Sequence, residues 1–304
     1  MGNNGATKCP VCGLTGVRER PFGYEFKGRW LGALECASCG IIFIHPQPGA
    51  EEIRELYSKE YFDSGDFRCG HAGSYFDDAT REGLGDDPLL RRIQSIIPSG
   101  RFLEVGCAGG VFLNSARYAG YEVQGVEFSE EMMAFARKTF QLDVRAGDLR
   151  DAGFPASHFD VVFMGDVLEH LPDPVSSVLE IERVMKVGGI LVLLCPTQTN
   201  TIFSRVGFRA YDVLGKRAKV HLPPYHLFEY RRKSMSNLVN HCGFEVIRAA
   251  ESATPPSGLN LRGSFAQRSL KYLLQYPNVV MTKTMNVFGD RIELFARKRE
   301  GGVV

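Results

Sequence analysis

The segment from Gly106 to Gly110 carries the residue types that most directly indicate a ligand site. Residues 102–105 precede it as a short buried strand would, and residues 111–118 follow with apolar residues at helical spacing. A strand that turns through glycines into a helix gathers free backbone N–H groups and a helix dipole at one point. Such a turn suits an anionic group.

Glu104 narrows the kind of ligand that this turn is expected to bind. A carboxylate directly before the glycines suits an ammonium or hydroxyl group and would repel a pyrophosphate. The residue therefore favours a small cationic cofactor over a dinucleotide. A nicotinamide dehydrogenase is the nearest alternative, and it is weakened by Glu104 and by Ala108, which replaces the second glycine of the dinucleotide motif.

Acidic residues and glycines also stand at the ends of the next three predicted strands. Glu127 follows Gly106 by 21 residues, the separation that one βαβ unit needs to place a carboxylate beside two ribose hydroxyls. Asp148 follows the third strand, where it could contact an adenine amino group, and Gly165 closes the fourth. Because these ends share the carboxyl edge of a doubly wound sheet, they predict one nucleoside-shaped site and argue against a glycine turn without a ligand.

Two cysteine pairs near the amino terminus predict a metal site. Cys9 and Cys12, and then Cys36 and Cys39, are each followed by glycine, and 23 residues with hairpin-like strands separate the pairs. Four thiolates close the shell of a tetrahedral Zn²⁺, so a structural zinc in a zinc ribbon is expected. Four incidental thiols or one redox pair are the alternatives, and a redox motif needs only one pair, within a βαβ unit.

The elements that must position these residues follow an alternating strand and helix pattern from Arg101 onward. The pattern predicts an α/β fold with a doubly wound, mostly parallel seven-stranded sheet. Its strands are expected at residues 101–105, 122–127, 142–146, 159–164, 189–195, 244–250 and 290–298. We expect a zinc ribbon over 1–47, a helical linker or lid over 48–100 and the main domain over 101–304, with a substrate-side insertion at about 198–230.

Composition excludes several classes of protein. The chain has 304 residues, a net charge of +1 and 23% charged residues, which is typical neither of a highly basic nucleic-acid protein nor of a disordered tail. Its longest apolar stretches are too short to span a bilayer, and its amino terminus has no apolar signal segment. We therefore expect a cytoplasmic protein whose eight cysteines are mostly reduced.

Over roughly residues 98–250 the sequence resembles the class I S-adenosylmethionine-dependent methyltransferases. The resemblance rests on residues 103–110, Glu127, Gly147 with Asp148, residues 159–171 and residues 185–191. The segment 167–174 looks like the small-molecule branch, which includes the quinone O-methyltransferases. The two cysteine knuckles, followed by His45-Pro-Gln-Pro-Gly49, are similar to zinc-ribbon methyltransferases, which commonly serve surface-polysaccharide or secondary-metabolite pathways.

The resemblance implies a Rossmann-like methyltransferase fold and a set of cofactor contacts. Ala108 stands where the family usually has glycine, and its methyl group fits if the backbone keeps a common φ/ψ region. The residues expected to bind S-adenosylmethionine are Glu104, Gly106, Cys107, Ala108, Gly110, Glu127, Phe128, Asp148, Leu149, Met164 and Gly165.

Three residues are candidates for the chemistry of methyl transfer. His170, just after the fourth strand, is the first choice for a general base, because its ordinary pKa suits neutral pH. The alternative is that Glu169 and His170 only order their loop. Asp166 could hold the cofactor's ammonium group or orient the acceptor, or it could cap the next helix. His226, on a proline-rich turn, could face the pocket or be a structural residue.

Residues 200–220 predict an amphipathic, basic helix or helix pair. Its apolar side chains alternate with Arg205, Arg209, Lys216, Arg217 and Lys219. Three uses are consistent with this pattern: a lid over an anionic substrate such as a nucleotide sugar, contact with an anionic membrane surface, or a solvated face over a packed one.

The expected function is methylation of a small molecule, with O-methylation of a sugar or similar hydroxyl as the leading choice. The acceptor is expected to be a small molecule, and it could be anionic or linked to a nucleotide. The protein is not expected to have a stable nucleic-acid partner. An RNA methyltransferase that uses its zinc ribbon for recognition is one alternative, although the ribbon has no continuous basic stripe. A non-catalytic scaffold with this fold is the other.

Overall fold

The computed structural model describes residues 7–56, 87–259 and 264–301. The described helices are α1 (Ala50–Leu56), α2 (Pro88–Ile96), α3 (Val111–Tyr118), α4 (Glu130–Phe140), α5 (Pro174–Val184), α6 (Ile202–Val213), α7 (Arg232–His241) and α8 (Phe265–Met285). None of them is long and apolar enough to cross a membrane. Residues 57–86, which belong to the expected helical linker or lid over 48–100, lie outside the described residues.

Twelve strands form two sheets within the described residues. They are β1 (Val17–Phe26), β2 (Arg29–Cys36), β3 (Ile42–His45), β4 (Arg101–Val105), β5 (Glu122–Glu127), β6 (Val144–Ala146), β7 (Phe159–Gly165), β8 (Met185–Pro196), β9 (Ala218–Val220), β10 (Phe228–Glu229), β11 (Phe244–Ser252) and β12 (Arg291–Lys298).

The larger sheet confirms the predicted seven-stranded, mostly parallel architecture. Its strand order is β11-β12-β8-β7-β4-β5-β6. Only β12 runs against its neighbours, pairing antiparallel with both β8 and β11. All seven predicted strands belong to this sheet, and the largest difference in bounds is at β8, which begins at Met185 instead of residue 189. The order reverses at β4, so the carboxyl ends of β4, β5 and β7 surround the expected ligand crevice.

Alternating side chains of the central strands feed two hydrophobic cores, one on each face of this sheet. Phe102 and Val161 pack in one core with residues of α2, α3 and α4. Leu103 and Val162 pack in the other with residues of α5 and α7. This alternation follows from the two-residue repeat of a strand, and it covers both faces with helices as a doubly wound fold requires.

The smaller sheet joins the amino-terminal segment to the insertion that follows β8. Its order is β10-β3-β2-β1-β9. Strand β9 pairs in parallel with β1, and β10 pairs antiparallel with β3, so both edges of the amino-terminal hairpin are completed by residues 218–229. The rings of Phe22 and Phe208 stack with centroids 4.8 Å apart. The cysteine-bearing segment therefore shares its sheet with the insertion.

Candidate functional site

The glycine turn after β4 is held against the loop that follows β7. The backbone N–H groups of Gly106 and Cys107 both donate to the carbonyl of Val126, at 2.8 and 3.2 Å. Gly106 has φ +72°, and a Cβ there would lie 2.4 Å from Cγ2 of Val167. Only glycine combines this backbone conformation with this contact. The cofactor turn and the candidate catalytic loop, which begins at Val167, are thus packed together.

Ala108 does not adopt the common φ/ψ region in which its methyl group was expected to fit. Its φ is +44°, in the left-handed region where a side chain costs about 1–2 kcal/mol. The conformation directs its backbone N–H to Oε2 of Glu127 at 2.8 Å. The strain is therefore coupled to a hydrogen bond that fixes the acidic residue of the next strand.

Glu127 is buried and rigidly placed at the end of β5. Oε2 accepts from the N–H of Ala108, and Oε1 accepts from the N–H of Ser129, both at 2.8 Å. Burial raises the pKa of this carboxyl, and these backbone donors oppose the rise. A carboxylate offers about four lone-pair positions, so both oxygens keep capacity for hydroxyl donors. The two-hydroxyl contact to ribose remains a prediction that this geometry allows.

Glu104 is a second buried carboxyl at the same edge of the sheet. Its side chain lies at the end of β4, and Oε2 accepts no hydrogen bond in the described structure. Burial and the nearby Glu127 carboxylate raise the pKa of Glu104 well above its ordinary value. A buried acidic group with an unsatisfied oxygen is costly unless a cationic or hydrogen-bonding ligand meets it. The carboxylate acceptors of Glu104 and Glu127 fit S-adenosylmethionine, which carries an ammonium group, a sulfonium and ribose hydroxyls.

Two predicted cofactor residues lie at the surface beside these carboxyls. The side chain of Phe128 is 54% exposed directly after Glu127, where a planar group could stack on it. Asp148 follows β6, and its Oδ1 accepts from the backbone N–H of Arg150 at 2.9 Å. The side chains of Asp148 and Arg150 also form an ion pair.

The remaining predicted cofactor residues are mostly buried. The side chains of Cys107, Leu149 and Met164 belong to the hydrophobic cores, so only their backbone groups could face a ligand. Gly165 ends β7, and Gly110, with φ +80°, precedes α3. Their contacts with a cofactor remain predictions.

Asp166 is held by an arginine that the sequence did not single out. Its two carboxylate oxygens each lie 2.7 Å from Nη2 of Arg291, on β12. The short 3₁₀ turn Leu168–His170 begins after Val167, so Asp166 is not its cap. The charge of Asp166 is thus already paired, which favours an orienting role. No sequence motif marked Arg291, because the topology that brings β12 beside β8 is what places it there.

Glu169, His170 and His226 form a buried cluster that joins both predicted histidines. Nδ1 of His170 lies 2.7 Å from the carbonyl oxygen of Tyr225. Nε2 of His170 lies 3.6 Å from Oε1 of Glu169, and the two histidine rings have centroids 4.9 Å apart. The backbone N–H of Leu227 also donates to the carbonyl of Glu169 at 2.9 Å. The loop after β7 and the turn before β10 therefore form one unit.

The hydrogen bond to Tyr225 and the burial of the cluster set the protonation states of His170 and Glu169. Burial and the neighbouring His226 lower the pKa of His170 to about 3, so the ring is neutral near pH 7. The expectation that its pKa lies near neutral pH was therefore wrong, because the sequence did not show that the ring is buried beside a second histidine. Because the carbonyl of Tyr225 can only accept, Nδ1 carries the proton and Nε2 has the lone pair. Burial raises the pKa of Glu169 to about 7. Its Oε2 accepts from Sγ of Cys195 at 3.3 Å, while Oε1 accepts no hydrogen bond.

Sequence reasoning treated Glu169 only as a loop-ordering residue. The structure makes it the most buried member of the cluster, with a side chain only 1% exposed. A carboxyl four positions beyond the end of β7, next to a histidine, is the signal that could have found it.

The four predicted cysteine ligands come together as expected for a tetrahedral metal site. Sγ of Cys9 lies 3.6 Å from Sγ of Cys39, and Sγ of Cys12 lies 3.6 Å from Sγ of Cys36. Four sulfurs around one zinc at 2.3 Å lie about 3.8 Å apart, so the spacing fits this ion. The glycines that follow each pair have φ +70° and +75°, as tight turns require.

Two groups of side chains among the described residues could ligate a metal ion. The ligand atoms of the four cysteines lie within 4.8 Å of one another, and the same limit holds for one ligand atom each from Glu169, His170 and His226. The second group combines two imidazoles and a carboxylate, which also suit a hydrogen-bonded catalytic cluster.

One short segment connects the cysteine site to the catalytic cluster. Residues 225–229 bond to Glu169 and His170 on one side. On the other side β10 pairs with β3, where Phe228 opposes Phe43, and the N–H of Ile44 donates to the carbonyl of Leu227 at 3.0 Å. Strand β3 begins three residues after Cys39. The cysteine knuckle of Cys36 and Cys39 therefore adjoins the strand that pairs with the segment carrying His226.

The basic insertion is one helix followed by a strand. Arg217 pairs with Glu19 and Lys219 pairs with Glu25, so these cations are joined to β1. The guanidinium of Arg205 bonds to Asn200. These contacts weaken the expectation that this segment supplies charge to an anionic acceptor.

A family model described as a methyltransferase domain matches residues 103–193. The chain is 30% identical over 162 residues to a ubiquinone biosynthesis O-methyltransferase of Aromatoleum aromaticum, an alignment that covers 50% of this chain and 65% of that protein. It is 29% identical over 145 residues to a probable S-adenosylmethionine-dependent methyltransferase of Mycolicibacterium smegmatis, covering 47% of this chain and 51% of that protein.

The chain thus spans about half to two thirds of the length of these curated relatives. A solved methyltransferase from Archaeoglobus fulgidus, described as dependent on S-adenosylmethionine, matches with a TM-score of 0.52 and 19% identity. The match covers 79% of this chain and all of that one. At that identity the likeness shows the fold.

Proposed function

The chain carries a class I S-adenosylmethionine-dependent methyltransferase domain, and on that premise we propose that the protein transfers a methyl group to a hydroxyl oxygen of a small molecule. One observation carries the choice of a hydroxyl acceptor. Oε1 of Glu169 is buried without a hydrogen-bond donor in the described structure, and it lies 3.6 Å from Nε2 of His170. An acceptor hydroxyl supplies such a donor.

Two carboxyls prepare the cofactor side. Glu127, fixed by the N–H groups of Ala108 and Ser129, accepts from ribose hydroxyls, and Glu104 balances the positive charge of the amino-acid end. When bound, the cofactor supplies a methyl group that its sulfonium sulfur already activates. Alignment of this methyl group with the nucleophile accounts for roughly 7–11 kcal/mol of the barrier.

The acceptor side supplies the base. Nδ1 of His170 is committed to the carbonyl of Tyr225, so Nε2 takes the hydroxyl proton as the new oxygen–carbon bond forms. Glu169, when ionised, stabilises the imidazolium that results. Such a positioned base is worth about 10²–10⁴ in rate. The ion pair between Asp166, just after β7, and Arg291, the first residue of β12, joins two strand ends near this cluster.

Structural zinc in the four-cysteine site completes the proposal. The site shares a sheet with β10, which leads from His226 to the core, so the metal would fix the acceptor side of the pocket. The acceptor we propose is a sugar hydroxyl or a phenolic hydroxyl. The name of the Aromatoleum relative supports O-methylation as the reaction class.

The two other functions receive less support from the contacts. RNA recognition by the ribbon would need free cations, and four of its five basic residues lie in ion pairs: Arg18 and Arg20 with Glu35, Lys27 with Glu55, and Arg29 with Glu52. A scaffold without a ligand would keep two carboxyls buried at the cofactor edge at a cost to stability.

A binding titration tests the cofactor half of the proposal. We expect purified protein to bind S-adenosylmethionine and its demethylated product, S-adenosylhomocysteine, with one site each, in competition with one another, by calorimetry. Failure of both to bind at millimolar concentration would contradict the proposal and favour the scaffold.

A further inference from the structure

Helix α8 has the reverse of the polarity expected for a surface helix. Its buried residues are Gln275, Asn278 and Thr282, all polar. Gln275 donates to the carbonyl of Thr254 at 2.6 Å, and Asn278 accepts from the N–H of Ile202 at 3.0 Å. Surface helices of globular proteins bury an apolar stripe and expose polar residues. Hydrogen bonds of polar side chains therefore hold the most buried positions of this helix to the protein, while Leu274, Val279 and Met281 are only half-buried.

The outer face of α8 is apolar. The exposed fractions are 78% for Phe265, 64% for Leu273, 52% for Tyr276 and 59% for Val280, and Tyr272 is 39% exposed. At about 100° per residue these five positions fall within an arc of about 100°, whose centre lies about 135° from that of the buried polar residues. Leu270 and Met285 are also exposed but lie outside this arc. The face is a continuous stripe along the helix, so scattered surface hydrophobics do not account for it.

Exposed apolar residues concentrate on α8 and its neighbour α6. The two helices contact each other through the bond from Ile202 to Asn278. Of the eighteen large apolar side chains that the described residues expose, eleven lie on these helices or at the C-cap of α6. On α6 and its C-cap they are Val206, Tyr211, Val213 and Leu214. The rest of the described surface is much poorer in such groups.

The charges on α8 indicate which kind of partner its apolar face binds. The helix contains Arg268, Lys271 and Lys283 and no acidic residue. Pairing with a second copy would place basic residues against basic residues without an acidic partner, which disfavours self-association through this stripe. An anionic lipid surface offers both an apolar layer and the complementary charge. Tyr272 and Tyr276, with hydroxyls 2.9 Å apart, are suited to the boundary between the two.

We propose that α8 docks on the surface of a bilayer that contains anionic lipids, with its apolar stripe in the headgroup layer and its exposed basic residues, Arg268 and Lys283, at the lipid phosphates. The helix is too polar on its inner face to cross a membrane, in agreement with the hydropathy of the described helices. This inference does not depend on the methyltransferase proposal, because it rests on α8 and α6 alone.

Vesicle flotation tests the proposal with the full chain. We expect wild type to float with vesicles of phosphatidylcholine and phosphatidylglycerol and not with phosphatidylcholine alone. A stripe variant, L273S/Y276S/V280S, and a charge variant, R268E/K283E, should each bind at least about tenfold more weakly. Wild-type melting temperatures in both variants would show that folding is intact, since all five side chains are on the exposed side of the helix.

A matched control replaces exposed apolar residues elsewhere. The variant L14S/V187S/I247S, whose residues are 54%, 52% and 42% exposed, should bind vesicles as wild type does. Absence of wild-type binding to the anionic vesicles would overturn the proposal, and so would equal binding by the stripe variant. A dimer in sedimentation analysis that dissociates in the stripe variant, without any vesicle binding, would assign the face to a second copy instead.

Discussion

The Nδ1 atom of His170 donates a hydrogen bond to the carbonyl oxygen of Tyr225 across 2.7 Å, joining positions 55 residues apart in the chain. This bond fixes the tautomer of His170 and leaves Nε2 as the acceptor. It also explains why two histidines from separate loops, His170 and His226, lie with their rings in contact. The proposed base is thus oriented by the backbone of the insertion.

His170→Gln should lower kcat by about 10²–10⁴ while the affinity for S-adenosylmethionine stays at the wild-type value. Glutamine retains a hydrogen-bond donor but cannot take up a proton. His241→Gln is the matched control, because His241 is exposed at the end of α7. Equal kcat values for wild type and His170→Gln would rule out His170 as the base.

The pH dependence of the cluster should reflect Glu169 and not His170. Below about pH 7 Glu169 is protonated, and its Oε1 can donate to Nε2 of His170 and block the base. We therefore expect kcat to rise as the pH increases through about 7 and to level off above it. The His170 ring, with its pKa lowered to about 3, should show no titration between pH 5 and 8 by NMR. A His170 midpoint between 6 and 7 would contradict this assignment.

Glu127→Gln should abolish measurable binding of S-adenosylmethionine. The amide keeps the size of the side chain but removes the charge and puts a donor where ribose hydroxyls need an acceptor. Calorimetry measures the affinity, and a thermal melt reports whether the bonds to Ala108 and Ser129 matter for folding. Glu130→Gln, at the exposed start of α4, is the control. An intact affinity in Glu127→Gln would remove Glu127 from the site.

Cys36→Ser should bind less metal and should also weaken the support of the acceptor side of the pocket. Metal analysis should give about one zinc per wild-type chain and much less in the variant. Because β3 supports the segment of His226, methyl transfer should fall while cofactor affinity is retained. Cys242→Ala, which removes a buried thiol outside the cluster, should keep the metal. A zinc-free wild type with full activity would contradict the structural role.

Two substitutions in the glycine turn should have opposite effects on stability. Ala108→Gly relieves a left-handed alanine and should raise the free energy of unfolding by up to about 1 kcal/mol, since glycine's larger unfolded-state entropy offsets part of the gain. Gly106→Ala should lower it by about 2 kcal/mol or more, because its Cβ would meet Val167. Denaturant titrations measure both, and a stabilised Gly106→Ala would contradict the described turn.

The strands of the larger sheet could be predicted from the sequence because hydrophobic runs, glycines and acidic residues at strand ends are local signals. The bounds of β4 and β5 matched the predicted residues. The cysteine cluster followed from spacing for the same reason. By contrast, Arg291 beside Asp166, and Tyr225 beside His170, depend on strand order and on a loop that crosses between modules. No local pattern reports such contacts.

The smaller sheet shows the same limit. Residues 218–229 were predicted as part of a substrate-side insertion, and their pairing with β1 and β3 links regions about 190 residues apart. The left-handed backbone of Ala108 was also invisible in sequence, since alanine rarely adopts it.

Transfer of the labelled methyl group of S-adenosylmethionine tests the central claim most directly. Wild type and His170→Gln would be incubated, at saturating cofactor, with a panel of sugar, nucleotide-sugar and phenolic acceptors and with matched acceptors that lack the hydroxyl. We expect label on the hydroxyl-bearing acceptor with wild type, and at least about a hundredfold less with His170→Gln. Label transferred equally by both proteins, or to acceptors without the hydroxyl, would contradict the account.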